Sequence, residues 1–309
     1  MRQAAPAGQV DNVPFGVATI IGTVLALSLG DALIKALGGS GTMGVWQLFL
    51  LRSVLAFPVL LVGAAVLFGV RRIVPRGAGW IALRSGLLAT MWIAYYVSLP
   101  LMPLAVAAAA YYTLPLFIVI FAALFAGEPV GPVQAAGVCL GFVGVCLVLR
   151  PGGAAFTWAA LLPILAAVLY AAAMILTRTK CRGEHPATLA LALNATFILF
   201  GALGLLAGLI FGPQNSGFLA NDWSTLSTAD WRNMAILAAL ILVASVGTAV
   251  AYQAAPASII GTFDFAYIGF ALVWGALFFD ERLDGLGLAG VALIVAAGIM
   301  AVRRPPPAA

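Results

Sequence analysis

Apolar residues run along this chain in long unbroken blocks, neither alternating with polar residues nor returning only every third or fourth position. Ten blocks stand out, at about residues 14–37, 45–68, 79–101, 106–126, 132–149, 157–177, 187–211, 232–253, 258–279 and 286–302. Each approaches the roughly 20 residues that a helix needs to cross a bilayer core. Period-2 alternation, the mark of a membrane barrel, is absent. Lipid offers the backbone no hydrogen-bond partner, so every span has to be a helix. The pattern predicts an all-α integral membrane protein of ten transmembrane helices.

The blocks come in two sets of five. Residues 111–150, YYTLPLFIVIFAALFAGEPVGPVQAAGVCLGFVGVCLVLR, return in degraded form at 263–303. One offset of 153 (281 − 128) lays Glu128 on Glu281, Gly137 on Gly290, Arg150 on Arg303, the run Ala123, Leu124, Phe125 on Ala276, Leu277, Phe278, and Pro103 on Pro256. Five is odd, so the second set enters the membrane from the opposite side and the repeat is inverted. The expected organisation is a disordered tail at 1–13, a first five-helix repeat at 14–151, a second and inverted one at 152–304, and a short tail at 305–309. Inverted helical repeats are the build of many transporters, with the substrate held near the bilayer midplane.

Composition narrows the reading further. At 64% hydrophobic and 8% charged residues, with mean hydropathy +1.13, the chain departs far from soluble domains. The 34 glycines suit helices whose backbones approach closely. The net charge of +5 reports topology rather than a nucleic-acid partner. With the N-terminus in the cytoplasm, Arg2, Arg71, Arg72, Arg76, Arg84, Arg178, Lys180, Arg182, Arg303 and Arg304 fall at inner ends or loops. Lys35, Arg150, Arg232 and Arg282 fall outside, which satisfies the positive-inside rule. Both termini are then cytoplasmic, Glu128 sits on an inner turn, Glu281 on an outer one, and the long loop at 212–230 faces outward. The three cysteines give no disulfide framework. His185, the only histidine, precedes Pro186 in a loop, which speaks against a metal site. No phosphate-binding loop, zinc motif or nucleophile elbow occurs, so neither an enzyme nor a cofactor is expected.

Several motifs carry a family resemblance. The Y-x-x-P-L run at Tyr112–Leu116, the Gly127-Glu128-Pro129 hinge, the G-x-x-L-x-x-x-G-V pattern from Gly137 to Val145, and the Arg150-Pro151-Gly152 end resemble the EamA-type repeat of the drug/metabolite transporter superfamily. Arg52 in the second span also fits. The second half departs, with Asp280-Glu281-Arg282 at the hinge and Ile268 in place of Pro115. Within the superfamily the chain looks most like the YddG-type exporters of aromatic and other amino acids. The resemblance implies ten helices, no cofactor and export of small metabolites from the bacterial cytoplasm; with the repeat, the expectation is a monomer in the inner membrane that works by alternating access. Its partners would be an amino acid, the bilayer and, if transport is driven, protons. Other metabolites or cationic drugs are the alternative cargo, and a non-transporting receptor or scaffold the alternative class.

Candidate substrate-binding residues follow from depth and chemistry. Trp92 and Tyr96 share a helical face, with Tyr95 beside them; Tyr111 and Pro115 are likewise four apart, and the proline frees a backbone carbonyl. Asp264 lies about two turns into the ninth span, where a carboxylate is costly unless it meets a cavity or a partner. Its offset counterpart is Tyr111. Tyr252, Gln253 and Tyr267 could add polar groups from the second half. The expected cavity is lined by the third, fourth, eighth and ninth spans, with Asp264 for an ammonium and Arg52 for a carboxylate if it faces inward. Arg52 also reads as a buried anchor, Glu128 and Glu281 as helix-start acids, and Asp31 with Lys35 as a local i,i+4 pair. Trp46, Trp80, Trp158 and Trp231 fit an interfacial belt.

Overall fold

The computed structural model describes residues 12–41, 43–126, 131–150, 157–181, 183–212, 217–220, 222–254, 263 and 265–302. The helices are α1 (Val13–Ser40), α2 (Val45–Phe68), the short α3 (Val70–Ile73), α4 (Ala78–Ser98), α5 (Leu104–Tyr111), α6 (Leu114–Ala126), α7 (Pro132–Leu149), α8 (Leu161–Thr179), α9 (Pro186–Phe211), α10 (Thr228–Ala254), α11 (Ala266–Phe279) and α12 (Gly285–Val302). Among the described residues six stretches are long and apolar enough to cross a membrane: Val13–Gly39, Val45–Phe68, Leu104–Phe125, Trp158–Thr177, Pro186–Phe211 and Thr228–Thr248. Shorter apolar helices occupy Ala135–Leu149, Ala266–Phe279 and Gly285–Met300. Large apolar side chains such as Val66, Leu209 and Phe125 point outward with more than 70% of their surface exposed. In a bilayer that face is wetted by acyl chains, not water.

Helix boundaries follow local chemistry. The Asn12 side chain accepts the Phe15 N–H at the start of α1, and Gly41 closes it in the left-handed region at φ 66°. Pro100 and Pro103 end α4 and start α5. The α5–α6 stretch was expected as one kinked helix. It is instead interrupted at Tyr112–Thr113, where the Tyr112 N–H still reaches the Ala108 carbonyl and the Thr113 hydroxyl turns back to Ala110. Pro115 then falls in the first turn of α6, where its missing N–H costs nothing. A broken helix at membrane depth is tolerated only where protein surrounds it. Tyr111, Tyr112, Thr113 and Leu114 are all buried.

The helices pair in a definite pattern: α1 lies on α10 and α11, α2 on α9 and α10, α4 on α8 and α9, α6 on α8, α5 on α11, and α7 on α12. Glycines make the closest approaches. A β-carbon at Gly144 would lie 2.8 Å from the Gly290 carbonyl oxygen, and one at Gly204 would lie 2.4 Å from the Trp46 indole. Trp46 also donates its ring N–H to the Leu219 carbonyl at 3.2 Å. It therefore interlocks α2 with α9 and the 217–220 turn rather than serving in the interfacial belt. Trp80, Trp158 and Trp231 are exposed, as a belt requires.

Candidate functional site

Aromatic side chains from several helices converge on the centre of the bundle. Along α4, Trp92 lies 5.0 Å from Tyr96 and 6.1 Å from Tyr95 between ring centroids, the outcome of i,i+4 and i,i+3 spacing. Tyr95 meets Tyr111 of α5 at 4.9 Å, Tyr111 meets Tyr170 of α8 at 6.1 Å, and Tyr112 stacks on Tyr267 of α11 at 5.1 Å. Tyr95, Tyr96, Tyr111, Tyr112 and Tyr267 are all buried, and Trp92 is partly so. The rings fill one another's space. The cluster is thus closely packed.

Two buried charges border the cluster. Tyr267 donates a short hydrogen bond to Asp31 of α1, and the Tyr95 and Tyr267 hydroxyls lie 2.9 Å apart. With the Tyr267 proton committed to Asp31, Tyr95 is the donor to Tyr267. The second charge, Arg52 of α2, is 2% exposed. Its Nη1 donates to the Tyr96 hydroxyl at 3.0 Å, while Nε and Nη2 make no hydrogen bond. The guanidinium lies 5.0 to 5.7 Å from the rings of Phe49, Tyr96 and Phe197, a cation–π cage. Asp31, Arg52 and Tyr96 together line a cavity of about 20 Å³, with Leu237, Leu240 and Ile241 of α10 on its other side. That volume holds about one water.

Of the sequence candidates, Trp92, Tyr95, Tyr96, Tyr111 and Tyr267 are brought together. Pro115 and Tyr252 lie in α6 and α10, but their side chains, like that of Gln253, fall outside the described residues. Asp264, Glu128 and Pro256 lie outside them altogether. The carboxylate seen in the cluster is Asp31. The sequence reading paired it with Lys35, and the structure separates the two. Lys35 Nζ sits 2.9 Å from Glu281, 2.9 Å from the Leu99 carbonyl and also on the Met102 carbonyl, while the other Glu281 oxygen accepts the Leu104 N–H at 2.8 Å. Glu281 is therefore a cross-link between α1, the start of α5 and the end of α11, not a simple helix-start acid. Depth was the signal that could have raised Asp31. It lies more than two turns from either end of a 28-residue helix, where an ionisable group marks a site by default. The cavity borders also change: α1, α2 and α8 join the expected α4, α5, α10 and α11. Among the described residues no group of three His, Cys, Asp or Glu could hold a metal.

Comparison with known proteins decides the family. Residues 14–150 match the EamA-like transporter family. A riboflavin transporter of Rhizobium johnstonii is 32% identical over 228 residues, 73% of this chain and 70% of that one. The chain belongs to the EamA-like transporter family. As a member of it, this is a multi-pass membrane protein that transports a small molecule. A second riboflavin transporter, from Brucella anthropi, is 27% identical over 192 residues, covering 62% of this chain and 65% of the relative. The pseudopaline exporter CntI of Pseudomonas aeruginosa is 24% identical over 296 residues, 95% and 98% of the two chains. A solved crystal structure shares the fold with a TM-score of 0.61 at 20% identity, covering 94% of this chain and 95% of that one.

Proposed function

We propose that this EamA-like transporter moves a small metabolite with a flat aromatic ring out of the cytoplasm across the bacterial inner membrane, by alternating access around the tyrosine cluster. The observation that carries the reading is the cluster itself: five buried tyrosines and a tryptophan, with Asp31 and Arg52 at its edge. Aromatic faces stack on a planar ring, and two opposite charges orient its polar groups. Riboflavin is the first candidate, supported by the names of two relatives. An aromatic amino acid is the second, supported by a carboxylate and a guanidinium on one cavity, the pair a zwitterion would engage.

The proposed architecture is ten spans in two inverted sets of five, with both termini cytoplasmic. Helix pairing supports it. Exchange α1 with α8, α2 with α9, α4 with α10, α5–α6 with α11, and α7 with α12. The α1–α10 contact then becomes α8–α4, α1–α11 becomes α8–α6, and α2–α10 becomes α9–α4. The α2–α9, α5–α11 and α7–α12 contacts map onto themselves. These main pairings exchange when the halves are swapped, as a two-fold axis relating two repeats would require.

The test is flux of labelled riboflavin, tryptophan and tyrosine through liposomes holding only the purified protein, with and without a pH gradient. Saturable counterflow of one of them, lost in Tyr95→Ala, is the expected result. Folded protein that moves none of the three would overturn the aromatic-metabolite reading. A flux indifferent to the pH gradient would make the process facilitated rather than proton-driven.

A further inference from the structure

A groove lies outside the tyrosine cluster, between α4, α6 and α8. Its floor is one face of α8, where Ala172, Ile175, Leu176 and Thr179 recur at helical spacing. Trp80 of α4 forms one wall, and Phe121 and Phe125, one turn apart in α6, form the other. The volume is about 660 Å³, within the range of small-molecule sites. Tyr170, which meets Tyr111, projects from the opposite flank of α8, so the groove is separate from the cluster. It opens sideways: Trp80 and Phe125 on its walls are 45% and 72% exposed, on surface that meets acyl chains.

One end of the groove is charged. Among the described residues Lys180 is the only ionisable one lining it, with its ammonium 5.1 Å from the Trp80 ring centroid. Among the described residues no carboxylate pairs with it. Glu184, four residues on, is held by the backbone N–H groups of Arg76 and Gly77 at 2.7 to 3.2 Å. That contact, with the Thr188 hydroxyl on the Ile73 carbonyl at 3.0 Å, brings the turn after α8 against the turn after α3. Lys180 therefore shares its end of the molecule with exposed Arg71, Arg72 and Arg76. Basic pockets between helices at a membrane rim favour anionic headgroups, and the local field adds to the contact.

We propose that this groove is a binding site for an anionic phospholipid of the leaflet on the basic side, with one acyl chain along α8 and its phosphate against Lys180. The apolar floor and aromatic walls take the chain, the unpaired ammonium takes the head, and the lateral opening admits the lipid without passage through the transport site. The inference is independent of which metabolite is carried.

Native mass spectrometry of the full chain in detergent, titrated with phosphatidylglycerol and with phosphatidylcholine of the same acyl composition, tests it. The wild type should retain phosphatidylglycerol about fivefold better, the factor that one basic contact near an anionic surface supplies. Lys180→Gln, an exposed change that leaves the core intact, should abolish that preference. Ala172→Trp, filling the floor, should reduce retention of both lipids. Equal retention of the two lipids by the wild type, or an unchanged preference in Lys180→Gln, would overturn the proposal. So would displacement of the lipid by inorganic phosphate or by riboflavin, which would show a site for free anions or for the cargo.

Discussion

Removing the Glu281 carboxylate should unlatch one end of the bundle. Lys35 and Glu281 meet at 2.9 Å with side chains only 9% and 18% exposed. At an effective dielectric near 20, such a contact is worth about 6 kcal/mol of Coulomb attraction. Most of that gain offsets the desolvation of the two ions, so the pair adds little over an apolar replacement. Breaking it from one side differs, because Lys35 stays buried with only the Leu99 and Met102 carbonyls and the Phe279 ring, 5.2 Å away, to hold its charge. The Leu104 N–H also loses its acceptor. Glu281→Ala should then cost about 3 kcal/mol, the low end for a half-broken buried pair. Lys35→Met in that background should cost much less than in the wild type, giving a coupling of about 2 kcal/mol in the double-variant cycle. Unfolding in detergent, followed by tryptophan fluorescence at fixed lipid content, measures all four proteins. A Glu281→Ala loss below about 0.5 kcal/mol, or additive single variants, would refute the latch, since contacting groups must couple by more than that.

Other outcomes follow from the same contacts. Tyr267→Phe removes the donor to Asp31 and the acceptor for Tyr95, so the protein should lose about 1–3 kcal/mol and its flux should fall without loss of expression; unchanged unfolding and flux would deny the network a role. Gly144→Leu drives a side chain into the Gly290 backbone and should cost about 1–3 kcal/mol by overpacking, read in the same unfolding assay. Arg150 lies 2.5 Å from Asp284 on the surface, and this ion pair together with the Gly287 N–H holds the Asp284 carboxyl below its ordinary value. Its small stabilisation is therefore full above the ordinary carboxylate range near pH 4 and is lost as pH falls through the lowered value; Asp284→Asn should lower stability slightly at neutral pH, leave it unchanged in strong acid, and so flatten the acid limb of the stability curve. Burial pushes the Cys181 thiol up, against the opposing pull of Arg84, so maleimide should label it slowly at neutral pH, and Glu184→Ala, which frees the surrounding turn, should speed labelling severalfold.

The length of the apolar blocks was enough to read the solvent and the helices, and helical spacing enough to put Trp92 and Tyr96 side by side. A bilayer admits no unpaired backbone, so long apolar blocks can only become spanning helices, and each described helix falls within or beside a block read from the chain. The i,i+4 relation of Trp92 and Tyr96 survives folding because it is a property of one helix. Partners across helices were not legible, because they depend on which faces meet. Asp31 and Lys35 are four apart and face nearly the same way, yet the tertiary structure sends one to Tyr267 and the other to Glu281. Arg52 is as far along the chain from Tyr96 as 44 residues, and nothing local fixes their contact. The break at Tyr112–Thr113 was visible only as a kink, since Pro115 dictates that one backbone bond is lost but not whether the helix bends or divides. The groove beside Lys180 arises because α4 and α6 both lie on α8 and leave its outer face between them, a relation that exists only once the bundle has assembled.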